Sequence, residues 1–362
     1  MNTVRVNLGH RSYDIYIGSG ILSRLGSWVR EVCAGDKALV VTNSTVFALY
    51  GETVSRSLTA AGFEVLAGEM GDGEEYKNLA TLEMLYNMAF KHKIDRQCPV
   101  IALGGGVVGD TAGLVAATYL RGVPFIQVPT TVMAQVDSSV GGKVAVNHPS
   151  GKNIIGAFYQ PRLVVADMTT LKTLPLREIK AGLAELIKYG VISDAGFFDW
   201  LEANAGKLLA LDETALAHAV TVSCRIKAQI VEADETEQGL RAILNFGHTV
   251  GHAVESLSGY KVFLHGEAVA VGMAAAARLA EAMGLIPAEQ RRRIVSLLSQ
   301  AGLPVKMPPS IDLADVVAAM RQDKKALAGR LTFVLPVEIG AVKIFDDISE
   351  NMVREALFSQ KY

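Results

Sequence analysis

The sequence predicts an α/β protein in two parts: an N-terminal, Rossmann-like parallel-sheet domain over residues 1–174 and a C-terminal, mainly α-helical domain over residues 175–362. Three observations carry this division. Short apolar runs alternate with helical stretches from Asp36 to about Thr131. Beyond Thr173-Leu174-Pro175 the apolar residues recur with a period near 3.6. A chain of 362 residues, half of them hydrophobic and a fifth charged, is long enough for two ordinary cores.

The N-terminal stretch MNTVRVNLGHRSYDIYIG alternates polar and apolar residues as a strand does, and it lacks the apolar core of a signal peptide. The runs KALVVTN, FEVLAGEM, PVIALGGG and PFIQVPTT follow, separated by helical segments, the last of them through GLVAAT. Such a βαβ series implies a parallel sheet covered by helices, whose ligands bind beyond the carboxyl ends of the strands. The loops after Val41, Met70, Leu103 and Val128 are therefore the places for a site. From Arg121 to Lys152 the chain mixes glycines, hydroxyls and isolated cations in a loop-like setting.

In the second part LREIKAGLAELIKYG, TALAHAVTVSCRIKAQIVEADE and GEAVAVGMAAAARLAEAMG read as long helices. Pro175 suits a first helical turn, which needs no amide partner there, and Gly190 suits a left-handed C-cap. The apolar run from Ala268 is too short to cross a bilayer and predicts a buried helix. KMPPS near Pro308 reads as a loop.

Lys plus Arg number 35 against 37 for Asp plus Glu, and a net charge of -2 supplies no field that would draw nucleic acid or an anionic membrane. Cys33, Cys98 and Cys224 are odd in number and widely spaced, which fits a reducing cytoplasm better than a disulfide framework or a thiolate metal site.

Gly104, Gly106 and Gly109 stand at GxGxxG spacing between a strand and a helix. The spacing serves either a pyrophosphate at the helix N-terminus or tight strand-to-helix packing. The usual acidic partner about 20 residues on is missing, because GVPFIQVPTT occupies that stretch. Asn43, and Glu74 with Lys77, are alternative polar groups for a ribose. Asp110 is placed to satisfy the amides at the helix start.

In LNFGHTVGHAVE, His248, His252 and Glu255 stand at i, i+4 and i+7 and share one helical face. Two histidines so spaced form either a metal pair or a hydrogen-bonded structural pair. Asn245, Gly247 and Gly251 leave room around the rings. His265 follows in FLHGEAV, beside Glu267. Glu185, in the apolar setting AGLAELIKYG, is a candidate carboxylate ligand or a charge partner of Lys188. Lys143 after two glycines and Lys152-Asn153 after another suggest backbone that closes around an anion, and Arg241 offers a bidentate partner for a carboxylate.

The blocks LGGGVVGDTAG, PFIQVPTTVMAQVDSSVGGKVAVN, GKNIIGAFYQP, TLPLREIKAGLAELIKYG, LNFGHTVGHAVE and LHGEAVAVGM together resemble the 3-dehydroquinate synthases, in order from about Asp72 to Pro336. The resemblance implies a homodimer of subunits with an NAD-binding domain and a metal-binding helical domain, the active site lying between them. It implies Glu185, His248 and His265 as ligands of a divalent metal, zinc or else cobalt, which makes His252 a substrate-facing group in place of the second ligand suggested by spacing.

Matched position by position, Asp137, Lys143, Lys152 and Asn153 fall on substrate-site positions, as do Lys188, Lys227, Arg241 and Asn245. Arg121 matches a residue reaching the partner subunit, and one of Lys324 and Lys325 matches a further substrate lysine. For NAD the matches are Asn43, Glu74, Lys77, Gly105, Gly106 and Asp110, with Thr130, Thr131 and Thr173; Lys143 and Lys152 border this group as well.

The implied reaction starts from a small sugar-acid phosphate, 3-deoxy-D-arabino-heptulosonate 7-phosphate. It runs through transient oxidation by NAD, loss of phosphate, reduction, ring opening and an intramolecular aldol closure. The alternatives are a related sugar-phosphate cyclase making another ring and a metal-dependent polyol dehydrogenase.

Overall fold

The computed structural model describes residues 1–259, 262–309, 311–322, 331–346 and 348–361, so Lys324 and Lys325 lie outside the described residues. The chain separates into two compact units, residues 1–174 with 216–236, and residues 175–215 with 237–362.

In the first unit β1 (Asn2–Val6) and β2 (Tyr13–Gly18) form an antiparallel pair. The βαβ series then runs through α1 (Leu25–Val32), β3 (Lys37–Asn43), the single turn α2 (Ser44–Val46), α3 (Glu52–Ala60), β4 (Glu64–Met70), α4 (Leu79–Lys91), β5 (Val100–Gly104), α5 (Gly106–Thr118) and β6 (Phe125–Pro129). A hairpin of β7 (Lys143–His148) and β8 (Gly151–Phe158) precedes β9 (Leu163–Asp167). The sheet order is β1-β2-β9-β6-β5-β3-β4, parallel everywhere except between β1 and β2.

The strands bury both faces, because their side chains alternate between two cores. Leu39, Val41, Val100 and Ala102 pack with Leu82 and Leu85 of α4 and Ala112 and Val115 of α5. Val40, Ile101, Ile126 and Val128 pack on the other face with Leu25 and Trp28 of α1 and Val54 and Leu58 of α3. This explains why the strands read as near-continuous apolar runs.

The second unit contains α6 (Leu176–Ser193), α7 (Ala195–Leu209) and the start of α8 (Glu213–Ala233). It continues with α9 (His248–Leu257), α10 (His265–Ala282), α11 (Ala288–Gln300), α12 (Leu313–Gln322), the ribbon β10 (Thr332–Glu338) and β11 (Ala341–Asp346), and α13 (Glu350–Lys361). The alanine-rich run is buried along α10. Among the described residues no helix is long and apolar enough to cross a membrane.

Four details depart from the sequence expectation. Residues 216–236, expected in the helical domain, belong to the first unit: Thr221 accepts from Asn2, and Cys224 and Lys227 bond to Gln135 and Asp137. Gly190 does not end α6, which runs on to Ser193; a Cβ there would lie 3.0 Å from Cα of Phe198, so the glycine permits α7 to pack close. The segment read as a loop before Lys152 contains β7, whose Val144 and Val146 enter the core beside α5. The helical part also carries the two-stranded ribbon of β10 and β11.

Candidate active site

In the first unit the chain passes from β3 outward to β4 and then back to β5, which also pairs with β3, so the order reverses at the β3–β5 boundary. In open α/β sheets the carboxyl ends at such a reversal flank the ligand crevice. Asn43 ends β3, and its side-chain Oδ1 caps α2 by accepting from the Val46 amide at 2.8 Å while its Nδ2 donates to Asp72 at 3.0 Å. Gly105 follows β5 and is the N-cap of α5, with no side chain bonded across that cap.

The backbone there is bare for a steric reason. A Cβ on Gly105 would stand 3.1 Å from the Thr131 methyl, and one on Gly106 3.2 Å from Ser138 Oγ. Thr130 is buried and its amide donates to the Gly104 carbonyl. The α5 N-terminus, a set of helix amides behind half-buried glycines, fits the pyrophosphate of a dinucleotide. The other two glycines of the motif have packing roles, since a Cβ on Gly104 would meet the Val108 side chain at 2.7 Å and one on Gly109 Gln127 Oε1 at 2.9 Å.

Asp110 lies inside α5 and does not cap it. Lys77, which follows β4, donates to Asp110 and to Asn153 Oδ1, both at 2.5 Å. Burial raises the Asp110 carboxyl above its ordinary range in spite of the Lys77 ammonium. Asn153 adopts φ of 53°, and its amide donates to Asn147, whose own side-chain amide donates to Glu74. Lys152 Nζ stands 3.9 Å from Glu74. The hairpin thus ties Glu74, Lys77, Asp110, Lys152 and Asn153 into one polar cluster.

Gly141 and Gly142 both take positive φ just before Lys143, which is exposed at the start of β7. Lys227 of α8 donates to the backbone carbonyl and the carboxylate of Asp137, each at 2.6 Å. Thr173 pairs with the Tyr50 hydroxyl. Arg121 is exposed in a left-handed turn after α5.

In the second unit Glu185, His248 and His265 each offer one ligand atom, all within 4.8 Å of one another. They come from three helices, α6, α9 and α10, held close by glycines. A Cβ on Gly266 would lie 1.9 Å from the Ala181 carbonyl oxygen, and one on Gly272 1.9 Å from that of Gly247. His248 Nε2 is 3.9 Å from Glu185 Oε1. Glu185 is wholly buried beside the Lys188 ammonium, yet neither carboxylate oxygen accepts a well-formed hydrogen bond among the described residues. A carboxylate in that state, with two imidazoles converging on it, suits a divalent cation of the zinc or cobalt type.

The His252 ring is 5.3 Å from that of His248 and 6.1 Å from that of His265, and it groups with Glu255 and His265 but not with Glu185. Arg241 is buried in a 3-10 turn, Leu240–Asn245, and Asn245 donates to Glu237 at 3.2 Å. Asp72, Asn147 and Glu237 were not expected as parts of the site. Asn147 in particular stands six residues before Asn153, a proximity that only the hairpin makes meaningful.

The matched sequence families and solved structures place this architecture. Residues 68–181 match the family of 3-dehydroquinate synthase N-terminal domains and residues 182–326 that of 3-dehydroquinate synthase C-terminal domains. The 3-dehydroquinate synthase of Pelotomaculum thermopropionicum is 58% identical over 99% of this chain and 96% of its own length. Two solved structures superpose along nearly the whole fold. The 2-epi-5-epi-valiolone synthase of Streptomyces hygroscopicus, solved with NAD+ and Zn2+ bound, has a TM-score of 0.89 and 28% identity, covering 98% of each chain. A 2-deoxy-scyllo-inosose synthase complexed with carbaglucose-6-phosphate, NAD+ and Co2+ has a TM-score of 0.90 and 27% identity, covering 99% of this chain and all of its own.

Fold and site together define an enzyme of the sugar-phosphate cyclase class, with a parallel-sheet nucleotide domain and a helical domain bearing a Glu–His–His cluster. Within that class, the chain belongs to the 3-dehydroquinate synthase family.

Proposed function

We propose that the chain converts 3-deoxy-D-arabino-heptulosonate 7-phosphate to 3-dehydroquinate and phosphate, a lyase reaction of the shikimate pathway toward aromatic amino acids. The observation that carries this reading, beside the family, is the convergence of Glu185, His248 and His265 next to the buried Lys188. These three would hold a divalent ion, zinc or cobalt. NAD would lie at the β3–β5 reversal, held by Asn43, Gly105 and Gly106 together with Glu74, Lys77, Asp110, Thr130, Thr131 and Thr173. When bound, NAD supplies a hydride acceptor that is restored within the turnover, and the metal a Lewis acid for the oxygens of the reacting carbon.

The chain's own residues supply binding and proton handling. Arg241, buried, presents a planar fork suited to the substrate carboxylate, with Asn245 and Lys188 further polar groups of the same unit. Lys152, Asn153 and Lys143 are cationic or amide groups for the phosphate, and Arg121 reaches toward the partner subunit. Asp137, held by Lys227, is a fixed acceptor for a hydroxyl. His252, half-buried beside His248, carries a proton to or from substrate oxygen. Elimination needs little further help, because the transient ketone acidifies the neighbouring C–H and the departing phosphate can take that proton.

The working protein is a cytoplasmic homodimer in this reading, consistent with three buried thiols and no disulfide among them. Supplying the heptulosonate phosphate with catalytic NAD and metal tests the function: phosphate release with no net NADH is expected. Sustained NADH formation from a simple polyol without phosphate release would establish the dehydrogenase alternative instead, and turnover of a different sugar phosphate in preference to this one would establish another cyclase. Light scattering of the eluting protein tests the dimer.

A further inference from the structure

Each histidine of the Glu185, His248 and His265 cluster has its Nδ1 engaged by an oxygen. For His248 the partner is the Phe246 backbone carbonyl at 3.1 Å, two residues earlier on the same segment. For His265 it is Glu255 Oε2 at 2.9 Å, a carboxylate from the preceding helix. Glu255 is 4% exposed, so its charge is held out of water against this ring. A buried carboxylate is costly unless a donor faces it, and an imidazole N–H is such a donor.

The position follows from helix geometry. Glu255 stands seven residues after His248 on α9, two turns along the same face. Gly251, between them, lets the helices approach closely: a Cβ would lie 3.1 Å from the Ala268 carbonyl oxygen of α10. This close approach brings the Glu255 carboxylate to His265, the first residue of α10. One helix therefore contributes a ligand, His248, and also the group that orients the ligand of its neighbour.

We infer that Glu255 is a positioning residue: by accepting the Nδ1 proton of His265 it fixes the tautomer that presents Nε2 to the metal held with Glu185 and His248. Neutral imidazole has one protonated and one bare nitrogen, and only the bare one ligates, so an acceptor at Nδ1 selects the donor face and locks the ring angle. The inference rests on the metal site proposed above. Glu255 is not itself a ligand in it, although it lies with His252 and His265 in a second group of possible ligand atoms.

The test uses full-length protein, with zinc and cobalt as probes and two variants, Glu255→Ala and Glu255→Gln. In the metal-free wild type, nitrogen-15 histidine spectra should show His265 protonated at Nδ1; a proton at Nε2 would overturn the inference without any variant. In Glu255→Ala the affinity for Zn2+ and Co2+, read by chelator competition, should fall about 10–100-fold. Glu255→Gln, whose amide oxygen still accepts the Nδ1 proton, should recover part of that loss and keep the tautomer. The Co2+ absorption bands of the loaded Gln variant should retain the wild-type pattern, whereas a changed pattern would make Glu255 a direct ligand and refute the positioning role. Glu185→Ala separates the two levels. If it loses metal while both Glu255 variants bind as wild type, the positioning role fails alone; if it binds metal as wild type, the site itself is misassigned.

Discussion

Gly272 of α10 lies so close to Gly247 at the head of α9 that a Cβ would stand 1.9 Å from the Gly247 carbonyl oxygen. The obstructing atom is backbone, so no rotamer change relieves it. Gly247 itself takes φ of 81°, which a side chain rarely adopts, just before His248. Gly272→Ala must push α9 and α10 apart, and overpacking of this kind costs about 1–3 kcal/mol or more. The melting temperature should drop and metal affinity with it, because His248 and His265 ride on the separated helices. Gly206→Ala is the control: Gly206 is exposed within α7, with nothing within 4 Å of its built Cβ. That variant should gain about 0.5–1 kcal/mol. Calorimetry of both, with and without chelator, checks the contrast; equal effects would contradict the close approach.

The thiols give a prediction in pH. Burial pushes Cys33 up to about 11 and Cys224 up to about 12, against opposing pulls from Arg162 and Arg30 at the first and Lys227 at the second. The folded chain then keeps protons that the unfolded chain releases from its ordinary thiol value upward. Since the native state binds more protons in that interval, stability is full below the unfolded value and declines as pH rises toward the folded values. The slope is at most about 1.4 kcal/mol per pH unit for each such thiol. Urea midpoints should fall between about pH 9 and pH 11, less steeply in Cys224→Ala. A disulfide reagent near neutral pH should react slowly with the folded protein and promptly with three thiols in denaturant.

How much of this was legible in the sequence depends on where the information resides. The strands β3 to β6 announce themselves, because a strand buried on both faces is apolar along its length. The hairpin was hidden: KVAVNH alternates as a strand should, but glycines and cations around it carry an equally strong loop signal. Periodicity identified α8 as a helix without revealing its company, since the pattern reports that a face is buried and not against what. Spacing alone paired His248 with His252, neighbours on one helix, whereas the partnership of Glu185, His248 and His265 depends on three helices meeting across glycines. The contact of Glu255 with His265 was illegible for the same reason, though both residues were in view.

Replacing His252 and His265 in turn separates the two readings of the histidines. His265 shares the 4.8 Å group with the carboxylate of Glu185, and His252 does not. Zinc content after dialysis should therefore be near wild type in His252→Ala and largely lost in His265→Ala. Turnover should collapse in both, through proton handling in the first and through the absent metal in the second. Comparable metal loss in the two variants would restore the assignment by helical spacing.

Lys77 holds two partners with one ammonium, and Asp110 depends on it most. The side chains are 5% and 17% exposed. Lys77→Met removes the cation that Asp110 pairs with, and stranding one member of a buried pair costs about 3–5 kcal/mol. The carboxyl, already raised by burial, should rise further once the Lys77 attraction is gone. The native state then binds a proton that the unfolded chain has released, so the variant should become more stable as pH is lowered toward the ordinary carboxylate range, against the usual trend for carboxylates. Adding Asp110→Asn removes the stranded charge and should return much of the stability and flatten that pH response. It should not return NAD affinity, which titration calorimetry would read, if Lys77 also bounds the dinucleotide. Recovery of NAD binding together with stability would show that the pair serves the fold alone.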